Sequence, residues 1–144
     1  MRIWFDMDGT IADLYGVDNW LAKLNAKDET PYAEAKPIVN LSLLARLMNK
    51  VQRNGFEVCI ISALSKETNA DYDTRVKNAK TNWLAKHLKS VHFNEIRFVP
   101  YDFIKNEVNT GDDLLFDDEE RHLQKWTGTA YHAKDILKVL KQIA

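Results

Sequence analysis

Ile3-Trp4-Phe5-Asp6-Met7-Asp8-Gly9-Thr10 joins a short apolar run to a pair of acids two residues apart. Consecutive apolar residues suit a strand buried on both faces of a parallel sheet. Three more strand-like runs follow. Phe56 to Ile61 leads into Ser62, Ile96 to Val99 is closed by Pro100, and Leu114-Leu115-Phe116 ends in Asp117-Asp118-Glu119-Glu120. Thr129 to His132 supplies a fifth strand. Helical spacing recurs between them. Leu43, Leu44, Leu47, Met48 and Val51 mark a helix over 41–53, stopped by Asn54-Gly55. Thr74 to Leu88 reads as a helix with Val76, Ala79, Trp83 and Leu84 as its inner stripe, after a polar loop from Ala63 to Asp73. Lys134 to Ile143 reads as a last amphipathic helix. Asp18 is the expected N-cap of a helix over 18–26, and Asp28 to Pro37 reads as loop plus broken helix.

Strands alternating with helices predict one α/β domain over residues 1–144, a three-layer α/β/α Rossmann-like fold with a parallel five-stranded sheet. Right-handed crossovers put the strand C-termini on one edge, where open α/β folds bind ligands. Asp6 with Asp8, Ser62, and Asp117 with Asp118 all fall just after strands. Separate segments thus bring polar groups to the same rim.

The net charge is −1, so no overall field favours nucleic acid or an anionic membrane. The lone cysteine, Cys59, rules out an intrachain disulfide and reads as a core residue of its strand. A strand-like run starting at residue 2 leaves no room for a signal peptide, and no run is long enough for a membrane span, so a cytoplasmic location and no membrane partner are expected. His87, His92, His122 and His132 lack metal-ligand spacing and read as surface or core residues. Nothing in the sequence sets an oligomeric state.

Two carboxylates about 4 Å apart repel by roughly 4 kcal/mol at an effective dielectric near 20. If Asp117 and Asp118 arrive beside Asp6 and Asp8, the site must hold a cation, raise its pKa values, or both. Oxygen ligands in small number suit Mg²⁺, which keeps its waters and shares substrate phosphates. Helix capping is the competing reading of the second cluster.

Phe5-Asp6-Met7-Asp8-Gly9-Thr10 resembles the first motif of the haloacid dehalogenase superfamily. Ile60-Ile61-Ser62 looks like its second motif, and Leu114-Leu115-Phe116-Asp117-Asp118 like its fourth. The resemblance implies a Mg²⁺-dependent phosphate monoester hydrolase. In it Asp6 is the nucleophile, and Asp8 the general acid and base whose carbonyl also binds the metal. Ser62 holds a phosphoryl oxygen, beside Gly9, Thr10 and Ala63 in the phosphate site. Asp118 contacts Mg²⁺, and Asp117 acts from behind it or orients the lysine. Lys105 is the expected third-motif lysine, twelve residues before Asp117, with Lys77 and Lys80 as rivals that otherwise read as solvated.

The run Asp6 to Asp13, and Lys77 to Lys86 with Trp83 inside it, are similar to the 5′(3′)-deoxyribonucleotidase branch. That branch inserts a helical cap between the first two motifs. Here 53 residues separate Asp8 from Ser62, which leaves about residues 14–40 for a small or absent cap. The expected substrate is a small phosphorylated molecule, a nucleoside monophosphate above all. An open site would also admit a phosphoprotein, or nucleic acid as a phosphorylated end. Tyr15, Trp20 and Tyr32 could stack on a base or simply pack. A non-catalytic binding module of the same fold is the alternative from another class. A phosphoaspartate receiver domain has its acids and lysine in a different order.

Overall fold

The apolar runs all become strands. In a computed structural model describing residues 1–144, the chain forms β1 (Arg2–Phe5), β2 (Ala12–Asp13), α1 (Trp20–Asn25), α2 (Thr30–Glu34), β3 (Lys36–Pro37), α3 (Leu41–Arg53) and β4 (Glu57–Ala63). It continues through α4 (Ala70–His87), β5 (Glu95–Val99), β6 (Leu114–Asp117), α5 (Glu120–Lys125), β7 (Thr129–His132) and α6 (Ile136–Ile143). The main sheet has five strands in the order β5-β4-β1-β6-β7, and every pairing is parallel. The expected fold is the observed one.

The connections explain where a site can form. From β1 the chain moves by α3 to β4 and by α4 to β5. It then crosses to β6 and moves the other way by α5 to β7. The strand order therefore reverses between β1 and β6, which opens a crevice at their C-terminal ends. Phe5 is level with Ile60 and Phe116, and the Asp6 amide donates to the Phe116 carbonyl at 3.0 Å. Asp6 and Asp117 thus leave adjacent strands at the same height.

Alternation along these strands divides the core. Ile3, Phe5, Val58, Ile60, Leu114 and Phe116 pack with residues of α3, α4 and α6 on one face. Trp4, Cys59, Ile61 and Leu115 face the other way, toward Val108 and Trp126. This second layer is thin, made of the 3-10 turn Lys105–Val108 and the six-residue α5. Cys59 is buried, as its strand position implies. No helix is long and apolar enough to cross a membrane.

Local chemistry moved several element ends. Helix α1 begins at Trp20, not Asp18, because Asn19 takes a left-handed conformation (φ 58°) just before it. Helix α4 begins four residues earlier than Thr74. The Asn69 side chain accepts from the Tyr72 amide, and Asp71 and Asp73 sit in the first turn, where acids favour a helix N-terminus. Helix α6 starts at Ile136, after a 3-10 turn over Ala133–Asp135.

Within residues 14–40 the expected first helix forms, and Asp28 to Pro37 holds the five-residue α2. Leu14, Leu24 and Tyr32 form a small core with Tyr72 and Val76 of α4. The Tyr72 hydroxyl donates to the Asp28 carbonyl at 2.9 Å, and the Trp83 indole to the Ala35 carbonyl at 2.8 Å. The segment is therefore fastened along α4, beside the C-terminal edge of the sheet.

At the opposite edge, buried Asp113 accepts from the Trp4 indole, the Arg2 amide, and the Thr110 amide and hydroxyl. These donors outweigh burial and hold its carboxyl below the usual range. Its stabilising effect is present above the unfolded carboxylate pKa and is lost as pH falls through the lower, folded value. Asp113→Ala strands four donors. It is expected to cost about 3 kcal/mol, seen as a lower urea midpoint at unchanged slope. An unchanged midpoint would show that the network does not hold the sheet.

Candidate active site

Asp6 is the best-held group at the switch point. One carboxylate oxygen accepts from Lys105 Nζ at 2.8 Å, and the other from Thr10 Oγ1 at 2.9 Å. Lys105 is only 2% exposed and also donates to Asp117 at 2.7 Å. Burial would push Asp6 up, but the charge and hydrogen bonds of Lys105 outweigh it and hold Asp6 below the ordinary range. The same pairing raises Lys105 against its own burial. Asp6 is thus an oriented anion at neutral pH. Lys105 has three donor hydrogens, of which two are engaged, so one remains for a ligand.

Asp8 is held separately. Its carboxylate pairs at 2.8 Å with Lys80, on α4, and not with the other acids. Burial is the main influence and raises Asp8 above the usual range despite Lys80. Lys80, 1% exposed, was expected to be solvated, and instead enters the site from behind. Lys77, its neighbour on α4, is exposed.

Asp6, Asp117 and Asp118 offer carboxylate oxygens that all lie within 4.8 Å of one another. Burial and repulsion from Asp6 raise Asp117 to about 6 and Asp118 to about 8. Excess negative charge on hard oxygen donors is the environment a divalent cation relieves, so this group fits Mg²⁺. Asp117 also accepts from the Glu119 amide at 2.9 Å and from Lys105. Its oxygens are more engaged than those of Asp118. The Asp8 carboxylate lies outside this set, so only its carbonyl remains for the metal role that the motif implies.

The loop after β1 is shaped by its own backbone. The Gly9 amide donates to the Ala12 carbonyl at 2.8 Å and the Thr10 amide to the Met7 carbonyl at 3.1 Å. Neither amide keeps a hydrogen for a phosphate. Thr10 Oγ1 lies between Asp6 and Asp118, so it steadies carboxylates. Gly9 has φ +81°, and a Cβ there would sit 2.3 Å from an Asp118 oxygen. Only glycine allows that approach. Ser62 is buried and accepts from Lys80 at 2.6 Å, and the Ala63 carbonyl accepts from Lys80 at 2.7 Å.

A cleft of about 450 Å³ opens over Asp6, Asp8 and Lys105, within the range usual for small-ligand sites. Residues 14–40 form a wall of it, with Tyr15, Trp20, Leu21 and Leu24; Tyr101, Glu119 and His122 also line the cleft. Tyr15 and Trp20 meet edge to face at 4.9 Å. Tyr32 also touches the cleft, but its hydroxyl bonds Ser65 at 2.6 Å and its ring covers Lys80. His122 is buried here, and burial with the charges of Lys105 and Arg121 lowers it to about 4. It is a neutral group at the site, one that sequence spacing did not single out.

No protein-family model and no curated protein matches the chain. Among solved structures, the chain is similar to the D,D-heptose 1,7-bisphosphate phosphatase from Burkholderia thailandensis. The TM-score is 0.59 at 11% identity, over 98% of this chain and 96% of that one. The chain has the haloacid dehalogenase fold. At that identity the likeness extends to the path of the backbone and no further.

In metal-free protein, Asp117 and Asp118 keep protons that an unfolded chain would release near pH 4. Folding therefore takes up protons, and these two groups make metal-free stability fall as pH rises from about 4 to about 8. A bound cation must displace the proton on Asp118. The rise in Tm caused by Mg²⁺, against a chelated control, is expected to be larger at pH 8 than at pH 6. Scanning fluorimetry showing a pH-independent rise would remove Asp118 from the metal set.

Proposed function

We propose that the chain is a phosphate monoester hydrolase that forms an aspartyl-phosphate on Asp6. The observation that carries this is the separate charge pairing of the two first-motif acids. Asp6 is kept anionic by Lys105, while Asp8, two residues on, has a raised pKa beside Lys80. One acid is suited to attack and the other to exchange protons.

Lys105 directs its remaining N–H at a phosphoryl oxygen and offsets the repulsion between that oxygen and Asp6. An Asp6 oxygen attacks phosphorus, and the bond to the ester oxygen breaks. Asp8 gives its proton to the leaving oxygen. It then takes a proton from the water that attacks the aspartyl-phosphate, releasing phosphate and restoring Asp6. Asp6, Asp118 and Asp117, with the Asp8 carbonyl, would hold Mg²⁺, which when bound would supply positive charge to the phosphate oxygens. Ala63, at the end of β4, lines the cleft, and the superfamily motif supports a phosphoryl contact for its neighbour Ser62.

The preferred substrate is a nucleoside monophosphate. Tyr15 and Leu21 remain 44% and 55% exposed on the wall of the cleft, beside Trp20, where a flat base could lie. This ordered wall favours a small substrate over a phosphoprotein or a polynucleotide end. Side-by-side assays of mononucleotides and 5′- and 3′-phosphorylated oligonucleotides test the choice, and preference for the oligonucleotides would reverse it.

Chelation is expected to abolish hydrolysis of para-nitrophenyl phosphate and added Mg²⁺ to restore it; full activity in excess chelator would sink the metal role. A complete lack of turnover with Mg²⁺ across a screen of phosphate monoesters would instead favour a binding module.

Asp6→Asn should fold and form no covalent intermediate. Asp8→Asn should slow hydrolysis of alkyl phosphates by about 10² to 10⁴-fold. With an activated aryl ester it should accumulate a phosphate adduct, visible by intact-protein mass spectrometry after acid quench. An adduct on Asp6→Asn would overturn the assignment of the nucleophile.

A further inference from the structure

Lys80 is the one buried charge at the site whose place the mechanism leaves unexplained. It lies on α4 in line with Tyr72, Val76 and Leu84, on a stripe that is otherwise apolar. A lysine is rarely buried without partners. Here the ammonium donates to an Asp8 oxygen at 2.8 Å, to Ser62 Oγ at 2.6 Å and to the Ala63 carbonyl at 2.7 Å. An ammonium has three hydrogens, so this set is complete. Lys80 has no donor left for a substrate, in contrast to Lys105. Ser62 accepts from Lys80, which leaves its own hydroxyl hydrogen free to donate.

Over this group lies Tyr32 of α2. The Lys80 nitrogen is 4.7 Å from the centre of the Tyr32 ring, close enough for a cation–π contact, and the ring is buried. The Tyr32 hydroxyl, bonded to Ser65, fixes the ring in that position. The segment that walls the cleft therefore also covers the cation that holds Asp8.

We propose that Lys80 is a positioning residue that fixes Asp8 and Ser62 in their working orientations, and that Tyr32 keeps it there by covering its ammonium. This rests on the phosphatase reading and deepens it. Residues 14–40 then bear on proton transfer as well as on substrate fit.

The role separates from phosphate binding by its dependence on the leaving group. The quantity kcat/KM reports events through aspartyl-phosphate formation. That step needs the Asp8 proton for an alkyl leaving group and scarcely needs it for para-nitrophenolate. Lys80→Met removes the charge and keeps the length of the side chain. In this variant kcat/KM for glycerol phosphate is expected to fall about 100-fold, and that for para-nitrophenyl phosphate less than about tenfold. Hydrolysis of the intermediate also needs Asp8, so para-nitrophenolate should appear as a burst of about one equivalent followed by a slow phase. Equal losses with both substrates, or no loss, would overturn the proposal. The first of these would make Lys80 a phosphate-binding or purely structural residue.

Tyr32 provides a test that keeps the lysine, should Lys80→Met fail to fold. Tyr32→Leu loses the ring, whereas Tyr32→Phe loses only the bond to Ser65. Tyr32→Leu is expected to show the same leaving-group-dependent loss, about tenfold, and Tyr32→Phe a several-fold smaller one. Equal effects of the two variants, or a loss independent of the leaving group, would overturn the role of Tyr32. An inactive wild-type enzyme would overturn the phosphatase reading itself, an outcome distinct from any of these.

Discussion

Three carboxylates, Asp6, Asp117 and Asp118, meet at the end of two adjacent parallel strands with Asp8 held apart by Lys80, and everything around them answers to their repulsion. A buried anion without a partner costs several kcal/mol, so such a cluster stands only if cations reach it. Two lysines do, from different directions. Lys105 comes from the 3-10 turn on the thin face of the sheet and joins Asp6 to Asp117. Lys80 comes from α4 and takes Asp8. The remaining excess of charge falls on Asp118, whose raised pKa marks where a divalent cation would be most welcome.

The division of cations gives Asp6 and Asp8 different electrostatic surroundings. Groups so close, in one common environment, would titrate as a set. Opposed environments push Asp6 and Asp8 in different directions, and that difference is what a nucleophile and an acid-base partner require. Parallel strands make this feasible. Their C-terminal ends lie together at the reversal of strand order, while the connecting segments approach from both faces.

Residues 14–40 show how a short insert can matter. Too small for a core of its own, the segment borrows Tyr72 and Val76 of α4. Since α4 also carries Lys80, the wall of the cleft and the partner of Asp8 rest on the same helix.

The strands, their parallel arrangement and the acids at their ends were legible in the sequence. Short, mainly apolar runs between helical segments have few other uses, and the acids that end two of them mark the rim of a sheet. Lys105 was legible by its place between the third strand and Asp117. Lys80 left a fainter signal, its spacing of four from Val76 and Leu84, and a lysine at such a position ordinarily reaches solvent along its stem. In residues 14–40 the first helix was legible, but the attachment of the segment to α4 was not, because that depends on contacts with Tyr72 and Val76 far along the chain. His122 was hidden because it has no metal-ligand spacing and its burial at the cleft comes from tertiary packing. The sequence by itself determined the strands and the rim at which their terminal acids gather, because a short apolar run and the charges that end it are local features. Only the tertiary structure decided which lysine serves which acid, because that depends on the packing of segments distant along the chain.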